Sequence, residues 1–196
     1  TRPARTVRIT LTAAPARLEL RPGILTDAYA YDGRVPGPTL ELREGDSLVV
    51  HFRNELPEPS TVHWHGLHLP FVSDGSPFHP VPPGGTHVYA FRLRPGTAGT
   101  YWYHPHPHHV TGAQVARGLY GAIVVRAQDD PLPPMTERVL LLSDNRFRAD
   151  GSIDLTSPPS HEARIDRENG REGDVLFVNG ELAPTLAIRR GEVQRW

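Results

Sequence analysis

The chain has 196 residues, a formal net charge of −1 and a pI near 6.8, so its charge gives no case for binding nucleic acid or acidic lipid. No apolar run approaches the roughly 20 residues that span a bilayer. The absence of cysteine excludes disulfides and thiolate metal sites.

Strand-like segments follow one another from the N-terminus to about residue 127. The segment 5–14 alternates polar and apolar residues, and 39–56 predicts two strands around the turn at "REGD". Further strand signals lie, in order, at 86–95, 99–106 and 120–127. The stretch 111–119 predicts a short helical turn. Because proline and glycine together number 39, short strands joined by tight turns are favoured over helices. The pattern indicates an all-β antiparallel sandwich or barrel.

The 11 histidines are unevenly placed along the chain. Seven of them lie in two short windows, "TVHWHGLH" at 61–68 and "YWYHPHPHH" at 101–109. A lone histidine is usually a surface residue or a satisfied core residue, whereas two His-x-His pairs flanked by aromatic residues indicate a metal site. His68, His108 and His109 lie near the pairs without sharing their spacing, so they are not predicted as ligands and their role stays open.

The two pairs are His63 with His65 and His104 with His106. In a strand, residues i and i+2 point to the same face, so each pair presents two imidazoles side by side. Two neighbouring strands about 4.8 Å apart would therefore present a two-by-two array. That array suits a cluster of metal ions, and neutral imidazole favours Cu, Zn, Fe or Ni over Ca or Mg.

The C-terminal part of the chain carries an internal repeat. "GRVPGPTLELREGD" at 33–46 matches "GELAPTLAIRRGE" at 180–192 with one deletion, about 146 residues further along. Since 128–135 has the composition of a linker, we predict a first domain at 1–127 and a second that begins at 136. Residues 136–196 offer only about three strand candidates. Either they form a C-terminal hairpin packed on the first domain, or the chain is the front part of a longer protein whose second domain is truncated here.

The segments "TVHWHGLHLP" and "GTYWYHPHPHHVTGAQVARGLYGAIVV" resemble the first cupredoxin domain of a multicopper oxidase of the laccase type. The resemblance covers residues 5–127, and "DVLFVNGELAPTLAIRRGEVQRW" is similar to the start of the family's second cupredoxin domain. It implies a Greek-key cupredoxin-like β-sandwich followed by an incomplete second domain of the same kind.

The resemblance also implies roles for single residues. His63 would bind the type 2 copper, His65 and His104 would share one type 3 copper, and His106 would bind the other. Asp74, in "VSDGSP", matches a family acid near this trinuclear cluster that assists proton delivery. Asp-Gly is also a common turn dipeptide, so both interpretations of Asp74 stay open.

The implied activity is an oxidase that takes single electrons from phenols, amines or metal ions and reduces O2 to water. In the family, electrons enter at a type 1 copper held by a cysteine and two histidines of the last domain, which also supplies four of the eight cluster ligands. This chain has the other four and no cysteine. We therefore expect it to be inactive alone, and to need the remaining C-terminal part of the protein or a second chain to complete the cluster.

Two other functions are weighed against this one. The chain could be a copper-binding or copper-carrying module without catalysis, or a structural domain whose histidines are relics. A nitrite reductase, which also uses cupredoxin domains and copper, is a less favoured relative because two complete His-x-His motifs indicate a trinuclear cluster. The family's mostly exported members and the absent initiator Met favour a periplasmic or extracellular location. The reducing substrate and the oligomeric state are not indicated.

Overall fold

The computed structural model describes residues 2–156, 164, 166, 168 and 170–196. Strands dominate the described part of the chain. They are β1 (Thr6–Arg21), β2 (Ile24–Tyr31), β3 (Leu40–Arg43), β4 (Ser47–Asn54), β5 (His63–His65), β6 (Thr86–Arg92), β7 (Gly99–His104), β8 (Gly121–Arg126), β9 (Thr136–Glu137), β10 (Leu142–Asn145), β11 (Val175–Val178), β12 (Glu181–Leu182) and β13 (Gln194–Arg195). A 3-10 turn spans Phe71–Ser73, and the short helix α1 spans Thr111–Ala116. Within the described ranges, no helix has the length and apolar character needed to cross a bilayer.

Two four-stranded sheets form the main body, with strand orders β2-β1-β4-β6 and β3-β8-β7-β5. The long strand β1 runs antiparallel to β2 over its second half and parallel to β4 over its first half. Alternate side chains of both sheets point inward and pack into one cluster, which includes the fully buried Leu11, Phe52, Trp64 and Ile123. The all-β sandwich predicted from the sequence is confirmed.

Most predicted elements are present, with three differences. The strands β3, β4, β6, β7 and β8 and the helix α1 all lie inside their predicted segments. The strand β1 extends past residue 14 to Arg21, and β2 was not predicted. The segment 185–196 is one of the three strand candidates after residue 136, but only Gln194–Arg195 form a strand, and 185–190, the repeat partner of β3, is irregular. The reason is pairing: β3 forms a ladder with β8, whereas no strand of the described chain pairs with 185–190.

The turn that ends each repeat copy is closed by the same hydrogen bonds. In the first copy, the amide of Asp46 donates to the carbonyl of Arg43 at 3.0 Å. The amide of Arg43 donates in turn to the carboxylate of Asp46, also at 3.0 Å. In the second copy, Glu192 and Arg189 make these two bonds at 3.0 and 2.8 Å. The match in sequence is therefore a match in backbone geometry.

The repeat extends to the backbone of the turn glycine and to the strand that follows each turn, but not to the strand before it. Gly45 and Gly191 have φ angles of +84° and +81°, which residues other than glycine rarely adopt. After the first turn, β4 pairs in parallel with β1; after the second, β13 pairs in parallel with β9. A turn followed by a parallel strand pair therefore occurs twice in the chain.

Side-chain contacts join this later part to the main body. The hydroxyl of Tyr120 donates to Ser143 Oγ at 2.8 Å, and the side-chain amide Nδ2 of Asn145 donates to the backbone carbonyl of Ala116 at 2.6 Å. The guanidinium of Arg21 lies 4.0 Å from the centre of the Phe147 ring. These contacts hold β10 and the residues that follow it against β1 and the end of α1.

Candidate metal centre

The two histidine windows are brought together by neighbouring strands. β5 pairs antiparallel with β7, and the register places His63 directly opposite His104. Trp64 points away from the histidines and is fully buried in the core. Its indole ring packs edge-on against Phe91, 5.3 Å between ring centres, which anchors β5 in place.

The histidine array is staggered, so the expected two-by-two arrangement is wrong in its register. Because His63 faces His104, His65 falls opposite Trp102. His106 comes after the end of β7, where its amide donates to the hydroxyl of Thr61 at 2.8 Å. The middle pair, His63 and His104, has ring centres 5.4 Å apart. His65 and His106 flank this pair on opposite sides.

Backbone carbonyls fix the tautomers of two imidazoles. His63 Nδ1 lies 2.8 Å from the carbonyl oxygen of Asp74, and His104 Nδ1 lies 2.8 Å from the carbonyl oxygen of Pro105. A carbonyl oxygen can only accept, so each Nδ1 carries the proton and each Nε2 is an acceptor; His104 Nε2 can accept from His65 Nδ1. This is how metal-binding histidines are commonly oriented in proteins.

Two of the nitrogens already converge. His65 Nδ1 lies 3.2 Å from His104 Nε2, across the two strands. The candidate ligand atoms of His63, His65 and His104 all lie within 4.8 Å of one another. His106 is outside this group of three, although its ring centre is 5.2 Å from that of His63. Its Nδ1 is buried, and no described atom hydrogen-bonds to it.

The donor chemistry fits a transition-metal ion. The converging atoms are imidazole nitrogens, which suit copper or zinc and bind calcium or magnesium poorly. Burial lowers the pKa of His104 to about 4, against which the hydrogen bond to Pro105 acts only in part. His104 is therefore neutral near pH 7, and a metal ion would not have to displace a proton from it.

Asp74 lies where both of its interpretations predict. It ends the 3-10 turn Phe71–Ser73, and its carboxylate oxygen is 3.5 Å from His63 Nδ1. The next residue, Gly75, is packed so closely that a Cβ there would lie 1.9 Å from the carbonyl oxygen of Val62. The turn is thus pressed against the strand that carries the histidines, with the acid beside the cluster.

The histidines without the paired spacing stay apart from the group. His68, His108 and His109 are exposed, and none of them belongs to the set of close donor atoms found among the described residues. The His108 ring packs edge-on against Phe78, 5.8 Å between ring centres.

Two residues that contact the cluster were missed from the sequence. Trp102 stacks on His104, with ring centres 4.1 Å apart and planes inclined by 27°. It lies two residues before His104 on the same strand, so the alternation rule could have placed it on this face. Thr61 could have been found only from the strand register, because its partner His106 is 45 positions away in the chain.

The chain is similar in sequence and in structure to proteins of one family. A family model described as multicopper oxidase matches residues 15–130. A multicopper oxidase of Staphylococcus aureus is 30% identical over 189 residues, which is 94% of this chain and 40% of the relative. A Campylobacter jejuni multicopper oxidase, described as a metallo-oxidase, superposes with a TM-score of 0.82 and 39% identity over 91% of this chain and 37% of that one. A multicopper oxidase of Pseudomonas thermotolerans gives a TM-score of 0.83 and 38% identity, over 94% and 44% of the two chains.

Coverage of these relatives is partial. The chain spans about 40% of the length of the curated relative and a similar share of both solved structures. The sandwich is a cupredoxin-like fold of the kind those structures contain.

Proposed function

Because the chain belongs to the multicopper oxidase family, we propose that it is the N-terminal part of a copper-dependent oxidase and carries half of the ligands of its copper cluster. The complete protein would couple one-electron oxidation of phenols, amines or metal ions to the four-electron reduction of O2 to water. The observation that carries the proposal is the convergence of His65 Nδ1 and His104 Nε2, 3.2 Å apart, beside a third imidazole whose tautomer is fixed.

The proposed ligands are His63, His65, His104 and His106. Bound copper would supply one-electron redox chemistry and a place for O2 to react. In this assignment, His65 and His104 share one ion. His63 binds a second ion, and His106 binds a third. The facing nitrogens of the first two support the sharing. The buried and unpartnered Nδ1 of His106 supports a ligand role for that ring, since a buried polar atom without a partner is costly.

Asp74 has two separate tasks in the proposal. Its backbone carbonyl accepts from His63 Nδ1 at 2.8 Å and so orients the imidazole. Its carboxylate lies 3.5 Å from the same nitrogen and is about one third exposed, so it can exchange a proton with solvent next to the cluster. We assign the orienting task to the backbone and the proton-holding task to the side chain.

The remaining cluster ligands and the electron-entry site would come from outside these 196 residues. The chain has no cysteine for a type 1 copper. We therefore propose that residues 1–127 form the first cupredoxin domain, that 136–196 belong to a second, and that the rest of the protein or a second chain completes the cluster. The chain alone would then have no oxidase activity. A periplasmic or extracellular location is part of the same proposal.

Metal ions should be assayed as reductants. The Campylobacter jejuni relative, described as a metallo-oxidase, is 39% identical to this chain. Cuprous and ferrous ions should therefore be tested beside phenols in the complete protein.

A non-catalytic copper-binding module is the second candidate function. The lack of cysteine favours it, because the chain has imidazoles to hold copper and no type 1 ligand set to pass electrons to it. The two functions can be told apart by measuring O2 consumption in the complete protein, because only the oxidase would consume O2.

The test is a Cu(II) titration of the chain and of His63→Ala and His104→Ala variants, with His51→Ala as the control because His51 is exposed on β4. We expect tight binding by the wild type and the control, and weak binding by the other two variants. Equal binding by all four proteins would contradict the proposed site. If the complete protein bound copper without consuming O2 in the presence of any reductant, the carrier function would replace the oxidase.

A further inference from the structure

We propose that Thr61 is a positioning residue for the copper cluster, because its hydroxyl holds His106 in register with His63. The inference rests on the proposed copper site. It assigns a specific part of that site, the placement of the His106 imidazole, to a side chain that binds no metal itself.

The hydrogen-bond ladder between β5 and β7 ends just before His106. The last ladder pair of β5 and β7 is His63 with His104. One step further, the amide of Val62 turns away and donates to the hydroxyl of Tyr89 at 3.0 Å. The amide of His106 instead donates to Thr61 Oγ1 at 2.8 Å. A side chain thus takes over from the ladder at the point where His106 must be fixed.

Thr61 stands on a rigid support. The preceding residue, Ser60, donates from its hydroxyl to Gln114 Oε1 at 2.8 Å, and Gln114 Nε2 donates to the carbonyl of Pro59 at 2.9 Å. Ser60, Thr61 and Gln114 are all fully buried. Because Gln114 belongs to α1, which follows the second histidine window, this network ties both windows together behind the cluster. Satisfied polar networks of this kind make a buried site rigid.

The consequence is specific to one ligand. His65 and His104 lie on laddered strands and would keep their positions without Thr61. His106 lies beyond the ladder, so loss of the hydroxyl would leave its amide without an acceptor and let the segment shift toward water. The effect on copper should therefore resemble removal of the His106 imidazole and should spare the pair formed by His65 and His104.

The experiment compares Thr61→Val, which keeps the shape of threonine, with Thr61→Ser, which keeps the hydroxyl. Cu(II) affinity is measured by competition with a chelator, and the bound Cu(II) is examined by electron paramagnetic resonance. We expect Thr61→Val to weaken Cu(II) binding at His106 by about tenfold, the lower end of what loss of an orienting partner costs, and to leave the ion held by His65 and His104 unaffected. It should also give the spectrum of His106→Ala. Thr61→Ser should bind within about twofold of the wild type, since its hydroxyl still satisfies the amide.

The double variant Thr61→Val/His106→Ala separates positioning from a general structural effect. If Thr61 acts through His106, the double variant binds Cu(II) no more weakly than His106→Ala alone. If Thr61→Val lowers only the unfolding temperature and leaves affinity and spectrum unchanged, the inference is wrong. The same holds if His106→Ala binds like the wild type, in which case the site of His63, His65 and His104 survives. Failure of the wild type to bind Cu(II) would instead contradict the proposed function.

A measurement on the wild type covers the case in which Thr61→Val does not fold. The amide of His106 should exchange with solvent as slowly as the amides of β4 and β6, because it donates to the hydroxyl of the fully buried Thr61. Exchange at the rate of the exposed residues His108 and His109 would overturn the inference.

Discussion

His65 on β5 and His104 on β7 are diagonal neighbours, with Nδ1 of the first 3.2 Å from Nε2 of the second. Two imidazole nitrogens this close can bind the same ion, so either residue alone should hold an ion far less well than the two together. We predict that His65→Ala and His104→Ala each weaken Cu(II) binding by about 100-fold or more, because loss of a ligand should cost at least as much as the loss of an orienting partner.

The double variant makes this prediction sharper. If both imidazoles bind the same ion, the second substitution adds little to the first, and the two effects on affinity are strongly non-additive. Effects that multiply would show that the two rings act at separate ions, against the shared assignment. Isothermal titration with Cu(II) measures all four affinities in a double-mutant cycle.

A substitution at Asp74 can distinguish the role of its backbone carbonyl from the role of its carboxylate. Asp74→Asn keeps the carbonyl that accepts from His63 Nδ1, so we expect Cu(II) affinity to stay within about threefold of the wild type, less than loss of an orienting partner would cost. In the complete oxidase, the same change should slow O2 consumption by about 100-fold or more, within the range for loss of a proton-transferring group. Loss of copper affinity with unchanged turnover per bound copper would favour the turn role alone.

Gly75 tests how tightly the Asp74 turn is pressed against the histidine strand. Gly75→Ala would place a Cβ 1.9 Å from the carbonyl oxygen of Val62 at a φ of +72°. Gly84→Ala is the matched control, because Gly84 has a φ of +71° and nothing within 4 Å. We expect the control to cost about 1 kcal/mol in the free energy of unfolding, from backbone strain alone.

The Gly75 variant should cost about 3 kcal/mol or more, since backbone atoms must also move. Urea unfolding measures both values. An equal loss in the free energy of unfolding for both variants would show that the turn can move away from the strand without strain. Packing would then not be what holds Asp74 beside His63.

Asp46 gives a prediction for stability against pH. Burial by itself would raise its pKa, but hydrogen bonds from Arg2 and from the amides of Arg5 and Arg43 outweigh burial and hold the pKa below its ordinary value. The folded state therefore binds the proton less readily than the unfolded state. Its stabilising effect is complete above the unfolded pKa of about 4 and is lost as the pH falls through the lower folded pKa.

The Asp46→Asn variant tests this sign. At pH 7 we expect it to cost about 2–4 kcal/mol in the free energy of unfolding, because a buried carboxylate that accepts from three residues is lost. The difference from the wild type should shrink as the pH falls below about 4. Asp27→Asn, at a carboxylate that is 91% exposed, should leave stability unchanged at both pH values. A difference that grows on acidification would contradict the assignment.

The sequence was a good guide wherever local pattern decides structure. Alternation and turn residues located β3, β4, β6, β7 and β8, and the i, i+2 rule placed His63 and His65 side by side on β5. What it could not supply was register. The stagger of the histidines depends on which residue of β5 faces which residue of β7, and no local rule sets that choice.

The same limit explains the two misses in the later part of the chain and near the cluster. The segment 185–190 has the pattern of β3 but not its ladder partner, so propensity alone did not make it a strand. Thr61 reads as an ordinary residue before a strand, and only the fold brings it to the amide of His106.

Two of the parallel pairings have a consequence for how the chain folds. β1 pairs with β4 from Thr6 with Ser47 onward, and β3 pairs with β8 from Leu40 with Ile123 onward. Such distant pairings make the loop-closure entropy large and folding slow. The sheet that carries the histidines has the order β3-β8-β7-β5, so it is complete only when β8 is in place. We therefore expect this sheet to form only after residue 126 has left the ribosome.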